Sequence, residues 1–249
     1  MKILFTICGR AGSKGIKSKN IQSFVGNYLP YYTISALDLF LKNTDLDISS
    51  DIIVNSDSDM LIKIMKENTI RPVEIIKRNP NLAGDTIGKI EVIKDCLVKM
   101  EERKGYSYEI VVDLDITSPL RTSSDIDKLI KKHIDKHPDV TISVTSARRN
   151  PYFNQVMSCE NGVRKVIESD YTARQQAPKV FDMNASLYAY SPGYLKSGRN
   201  ILDGYCEYIE MYDTGVLDID NENDFELMEV IAKYLFKKTP GFAEIYKNI

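Results

Sequence analysis

Residues 3–20 read Ile3-Leu4-Phe5-Thr6-Ile7-Cys8-Gly9-Arg10-Ala11-Gly12-Ser13-Lys14-Gly15-Ile16-Lys17-Ser18-Lys19-Asn20, an apolar strand running straight into a loop with three glycines and four cations. Glycines let backbone N–H groups close on phosphate oxygens, and the cations add charge whose value grows as a transition state becomes more anionic. The stretch therefore predicts a polyphosphate cradle, with a nucleoside triphosphate as its ligand. It is neither of the two commoner glycine motifs. A P-loop needs Gly-Lys-Ser/Thr, whereas Lys14 lies between Ser13 and Gly15; the dinucleotide fingerprint needs Gly-x-Gly-x-x-Gly, whereas the glycines fall at 9, 12 and 15.

Outward from this loop, short β-branched runs alternate with helical periods. Strands are expected at 3–7, 51–54, 73–76, 110–112 and 140–144, and helices at 30–41, 59–67, 89–102 and 124–136. Such alternation predicts an α/β fold, a mostly parallel, doubly wound (Rossmann-like) sheet with helices on both faces. Residues 147–185 break the rhythm, being rich in Arg, Asn, Gln, Tyr and Pro, and read as an arm inserted in one domain that spans 1–249. The pattern resumes at 186–190 and ends with Asp218-Ile219-Asp220 ahead of an amphipathic helix over 223–237. Ligands of such sheets bind at the carboxyl ends of the strands, which predicts that the loops after Ile7, Leu114 and Leu217 meet at one crevice.

A formal charge of -2 argues against a nucleic-acid or anionic-membrane partner and marks the basic cluster at 10–19 as a local site. Four scattered cysteines, with no C-x-x-C pair, form neither a disulfide framework nor a zinc site. With no leader-like opening and no run long enough to span a bilayer, the expected location is cytoplasmic.

Triphosphate chemistry needs a divalent metal, and two Asp-x-Asp pairs compete for it: Asp113/Asp115 and Asp218/Asp220. On a strand, residues i and i+2 face the same way, and two carboxylates suffice where substrate phosphates complete the shell of Mg2+. His133 and His137, spaced i, i+4 among lysines, read as a solvated helix end. No arrangement suggests a covalent nucleophile.

Six segments together resemble the acylneuraminate (sialic-acid-type) cytidylyltransferases, the CMP-sugar synthetases. They are Arg10-Ala11-Gly12-Ser13-Lys14-Gly15 with Lys19-Asn20, Arg78-Asn79-Pro80-Asn81-Leu82-Ala83-Gly84-Asp85-Thr86, Thr117-Ser118-Pro119-Leu120-Arg121, Arg174-Gln175-Gln176-Ala177-Pro178, Asn184-Ala185-Ser186-Leu187-Tyr188 and Asp218-Ile219-Asp220. The resemblance covers nearly the whole chain and implies a nucleotide-diphospho-sugar-transferase-like fold. It places Arg10, Gly12, Ser13, Lys14 and Lys19 at the triphosphate, Asn20 at the cytosine or ribose, and Arg78 and Asp85 in nucleotide binding. It implies that Arg174, Gln175 and Tyr188 contact the sugar acid and that Asp218 and Asp220 hold Mg2+. Arg10, Lys14, Lys19, Asp218 and Asp220 would then form the catalytic set. The arm resembles the segment through which such enzymes form homodimers, reaching into the neighbouring active site. Asp115, a further nucleotide-binding position, stands where many members carry Gln; its carboxylate can accept from the cytosine amino group but cannot donate, and it could instead join the metal.

The implied reaction is transfer of CMP from CTP to the anomeric hydroxyl of a nonulosonic 2-keto sugar acid, with release of pyrophosphate. The wording of 113–121 and 177–186 is nearer the bacterial legionaminate-type branch than the animal enzymes. Three alternatives remain. A 3-deoxy-manno-octulosonate cytidylyltransferase typically has Arg-Leu-Pro and Lys-Pro in the loop; a nucleotide-sugar glycosyltransferase using Asp113/Asp115 leaves the cationic loop unexplained; and a non-catalytic CTP-binding module would lack part of the set.

Overall fold

The computed structural model describes residues 1–12, 15–84, 87–216 and 218–249. The expectations for Ser13, Lys14 and Asp85 fall outside these residues.

The first strand, β1 (Lys2–Cys8), is buried along its length, and its side chains alternate between two cores. Ile3, Phe5 and Ile7 join one core with Leu37 and Phe40, while Leu4 joins the other with Ile93 and Leu97. A strand apolar on both faces belongs inside a sheet covered on both sides.

Two short strands, β2 (Ser23–Phe24) and β3 (Asn27–Tyr28), form a hairpin before helix α1 (Leu29–Asn43), which has Pro30 in its first turn. There follow β4 (Ser49–Ser56), α2 (Asp59–Glu67), β5 (Glu74–Lys77), α3 (Lys89–Lys104), β6 (Ile110–Leu114), α4 (Ser123–Lys136) and β7 (Val140–Ser146). Their ends have local causes. The Ser58 hydroxyl caps α2 by accepting from the Leu61 N–H at 3.2 Å, Thr122 and Asp125 form a reciprocal capping box on α4, and Gly105 closes α3 with φ 72°.

The inserted arm carries the hairpin β8 (Val156–Cys159) and β9 (Gly162–Lys165). Its apolar side chains face outward, with Val163 69 % exposed. The chain returns through β10 (Phe181–Tyr190), α5 (Pro192–Ser197) and β11 (Cys206–Glu210) and ends in α6 (Glu222–Lys238) and α7 (Pro240–Lys247).

Seven strands form the main sheet in the order β11-β7-β10-β6-β1-β4-β5, all parallel except β10, which runs antiparallel to both β6 and β7. The mostly parallel sheet expected from the sequence is thus present, with one reversed strand. Among the described residues no helix is long and apolar enough to cross a membrane.

Three local expectations need correction. Residues 181–185 belong to β10, paired with β7 from Phe181 opposite Ser146, so the irregular segment ends before Phe181. Asp218-Ile219-Asp220 is a loop before α6 rather than a strand end. His133 is buried at 4 % exposure, with Nδ1 2.9 Å from the Thr141 hydroxyl, whereas only His137 ends the helix, at φ 47°.

Candidate active site

The carboxyl ends of β1, β5 and β6 open onto a cavity of about 370 Å3 lined by Cys8, Arg10, Gly15, Lys19, Asn20, Arg78, Lys89, Asp115, Thr117 and Asp220, among others. Five features of the chain converge to build it.

The loop after β1 is fixed by its backbone. The Gly9 N–H donates to the Asn55 carbonyl at 3.1 Å, the Ala11 N–H to Asp57 Oδ1 at 2.8 Å, and the Asn20 side-chain amide to the Arg10 carbonyl at 3.0 Å. Gly12 adopts φ 74°, the left-handed region where a side chain is strained. A Cβ on Gly15 would stand 1.8 Å from the Asp220 carbonyl oxygen, so only glycine lets the loop pass so close to the acidic segment. Lys19 then spans the two, donating from Nζ to the Ile219 carbonyl and lying 3.5 Å from Asp220 Oδ1.

The acidic segment owes its shape to Ile219, which is fully buried and whose N–H donates to the Thr117 carbonyl at 3.0 Å. Burying Ile219 leaves Asp218 half-buried and Asp220 exposed on either side of it. Burial and the nearby carboxylates of Asp220 and Asp115 push the Asp218 pKa up.

Arg78 enters from the end of β5. Its Nε donates to Asn55 Oδ1 at 2.7 Å and its Nη2 to the Asn55 carbonyl at 3.3 Å, so a residue of β4 sets its orientation.

On the other side of β1, Asp113 sits opposite Thr6 in the parallel ladder and opposite Tyr188 in the antiparallel one. Its Oδ1 accepts from the Thr6 hydroxyl at 2.6 Å, and its Oδ2 is 2.6 Å from Lys89 Nζ. Asp115, just past β6, also meets Lys89 at 2.6 Å, and its Oδ1 accepts from both the N–H and the hydroxyl of Thr117 at 2.7 Å each. Burial opposes ionisation of Asp115, but Lys89 and Thr117 more than offset it and hold its pKa at about 2. Burial, with Asp115 and Asp113 nearby, raises Tyr188 to about 12, so its phenol stays protonated.

The Thr117–Arg121 motif turns on Arg121, whose guanidinium is wholly buried. It donates to Ser186 Oγ at 3.0 Å and to the carbonyls of Asp115 and Ser118. Burial lowers its pKa to about 10, which leaves it charged at neutral pH. Arg121 is therefore an internal tie that shapes the loop carrying Asp115 and Thr117, not a ligand contact. The Asn184 motif meets this tie from β10. Ala185 takes φ 53° where the pairing with β7 shifts, and the buried Asn184 accepts from Ser143 Oγ at 2.5 Å and, through its carbonyl, from Ser118 Oγ at 3.1 Å.

The expected residues thus divide. Arg10, Lys19, Asn20, Arg78, Asp115 and Asp220 line one cavity, with Asp218 next to Asp220 and Gly12 in the same loop. Arg174 and Gln175 line a different one, of about 330 Å3, with Ser146, Asn150 and Lys179, where Arg174 donates to the Ala147 carbonyl at 2.8 Å. Tyr188 is buried and lines neither cavity. Among the described residues, no cluster of three or more His, Cys, Asp or Glu side chains is arranged to hold a metal alone.

A cationic glycine loop after β1, a buried Arg just past β5 and a facing acidic pair thus share one cavity of the α/β sheet, and the sequence profile described as Cytidylyltransferase matches residues 4–230. The chain belongs to the cytidylyltransferase family. This cytidylyltransferase is 34 % identical over 232 residues to the "Post-translational flagellin modification protein B" of Campylobacter coli, covering 93 % of this chain and 95 % of that protein. It is also 34 % identical over 230 residues to the "CMP-N,N'-diacetyllegionaminic acid synthase" of Campylobacter jejuni, covering 92 % of this chain and 94 % of that one. Among solved structures it resembles CMP:2-keto-3-deoxy-manno-octonic acid synthetase complexed with CTP, with a TM-score of 0.64, 14 % identity and coverage of 94 % of this chain and 99 % of that one. That likeness speaks to the fold alone.

Sequence reasoning missed Lys89 in this cytidylyltransferase. A lysine at the first position of a helix opposes the helix dipole, and that misfit was the available signal.

Proposed function

We propose that this cytidylyltransferase transfers CMP from CTP to the anomeric hydroxyl of a nonulosonic, sialic-acid-like 2-keto acid and releases pyrophosphate. The observation that carries this reading is the cavity that gathers Arg10, Lys19, Asn20 and Arg78 opposite Asp220. The anomeric oxygen bonds to the α-phosphorus while the bond from that phosphorus to the pyrophosphate oxygen breaks, and the hydroxyl proton passes to solvent. No covalent enzyme intermediate is needed, so the protein's work is alignment and charge neutralisation.

Each residue has a place in that work. Arg10 and Lys19 would offset charge on the triphosphate oxygens, with Gly12, Ser13 and Lys14 contributing the loop's backbone and side-chain donors. Asn20, Arg78 and Asp85 would hold the nucleoside, and Asp115, an acceptor only, suits an amino group. Arg174 and Gln175, with Tyr188, are assigned to the sugar acid. The cavity of Arg174 and Gln175 is separate from the nucleotide cavity within one chain. The arm therefore suits a homodimer in which one chain's Arg174 serves the partner's site.

Asp218 and Asp220 fit a divalent ion. They are hard oxygen donors beside a phosphate-binding loop, and two carboxylates leave room for phosphate and water, as Mg2+ prefers. When bound, Mg2+ would neutralise phosphate charge and acidify the attacking hydroxyl.

The test is pyrophosphate release from CTP with a panel of acids: N-acetylneuraminate, legionaminate, pseudaminate and 3-deoxy-manno-octulosonate. Turnover of a nine-carbon acid is expected. Turnover of the eight-carbon acid alone would move the assignment to the structurally similar synthetase, and no turnover of any acid would refute it.

A further inference from the structure

Two Asp-x-Asp pairs in this chain are of the type that binds a divalent cation, yet the fold treats them differently. At Asp218/Asp220, among the described residues, Lys19 donates to the Ile219 carbonyl and reaches only one oxygen of Asp220, at 3.5 Å. At Asp113/Asp115 the Lys89 ammonium sits between the carboxylates, 2.6 Å from an oxygen of each. The other oxygens are also engaged, that of Asp113 by Thr6 and that of Asp115 by Thr117. Asp113 is wholly buried at 0 % exposure, whereas the Lys89 side chain is 31 % exposed and lines the nucleotide cavity.

A buried carboxylate and a partly buried one this close repel each other strongly unless a cation stands between them. Lysine is a poor choice at the start of a helix, where the dipole opposes it, so its placement needs a compensating role. A divalent ion bridging the two carboxylates would sit where Nζ now lies, since oxygen ligands approach such ions at about 2.0–2.6 Å.

We propose that Lys89 is a built-in substitute for a metal ion: a positioning residue that fills the Asp113/Asp115 site, keeps divalent ions out of it and leaves Asp218/Asp220 as the acidic pair open to metal. Its second effect is to fix Asp115 as an acceptor beside the nucleobase, the part of the inference that rests on the proposed use of CTP.

The first part is tested without nucleotide or turnover, so its outcome is independent of the substrate assignment. Lys89→Met keeps the length and apolar stem of the side chain and removes the charge. Mn2+ bound per chain is counted by electron paramagnetic resonance on the full-length protein. Lys89→Met should gain one equivalent over the unaltered protein, and Asp113→Asn added to it should remove that equivalent. In the unaltered background Asp113→Asn should leave the count unchanged. An equal count in Lys89→Met and the unaltered protein, or loss of Mn2+ from Asp113→Asn alone, would overturn the proposal. Should Lys89→Met accumulate unfolded, refolding with Mn2+ against refolding in monovalent salt decides the same point: recovery only with Mn2+ supports the substitution of metal for lysine, and recovery in neither refutes it.

Discussion

The Lys19 ammonium lies 3.5 Å from the Asp220 carboxylate and donates to the carbonyl of the residue before it, so the cationic loop and the acidic segment are joined before substrate arrives. Lys19 offsets charge at one oxygen of Asp220 through a long contact, and the Asp220 side chain is otherwise exposed. Asp220→Asn preserves shape but removes one anionic ligand, and it should lower turnover roughly 100-fold. Raising Mg2+ should recover part of that loss, while CTP binding measured without metal stays nearly constant. Full activity of Asp220→Asn at low Mg2+ would assign the metal elsewhere.

Gly15 offers a second test of the same junction. A Cβ there would meet the Asp220 carbonyl at 1.8 Å, and backbone cannot yield as a side-chain tip does. Gly15→Ala should push the loop off the acidic segment and cost about 1–3 kcal/mol in kcat/KM for CTP. Because the neighbouring Ile16 is buried in the main core, the melting temperature is read alongside: a small shift keeps the effect at the junction, and a large drop would make Gly15 a folding residue.

Much of this architecture was legible from periodicity. β1, α2 and β6 were readable because apolar runs and turn signals coincide there, and the β10 reversal was not, since a strand buried on both faces carries no mark of direction in its sequence. At the site, the cationic loop announced itself through residue type and spacing. Lys89 did not, because its partners Asp113 and Asp115 lie 24 and 26 positions away and only the fold brings them together. His133 was misread for a related reason. Its neighbours in sequence are lysines, but its neighbours in space are Thr141 and Ser191 on the core side of α4.

That burial gives His133 a pH signature. Desolvation, helped by nearby His137, lowers its pKa to about 4 from an ordinary 6.5. The folded protein keeps the ring neutral while the unfolded chain takes up a proton below about 6.5, so stability is full above that pH and declines as pH falls towards 4. The span corresponds to roughly 3 kcal/mol. His133→Gln, which keeps a polar partner for Thr141, should flatten the urea midpoint between pH 6.5 and 4 relative to the unaltered protein. Parallel curves for the two would mean that the ring titrates alike in the folded and unfolded chain.

Arg174 bears on how two cavities can serve one reaction. Among the described residues, it lines a pocket with Gln175 and Lys179 that shares no residue with the cavity of Arg10 and Lys19 in its own chain. If its guanidinium pairs with the carboxylate of the sugar acid, Arg174→Ala should lose about 2–4 kcal/mol of transition-state stabilisation, felt in sugar use and hardly in CTP use. Mixing then separates the two geometries. Lys19→Met disables the nucleotide side and Arg174→Ala the sugar side, so each variant alone should be nearly inactive. In a dimer whose arms cross, a mixed pair contains one site with both native residues. After subunit exchange at equal amounts, about half the dimers are mixed and about a quarter of native activity should return. No recovery after exchange verified by mass spectrometry would place Arg174 in the service of its own chain, and would require the two cavities to approach each other within one subunit.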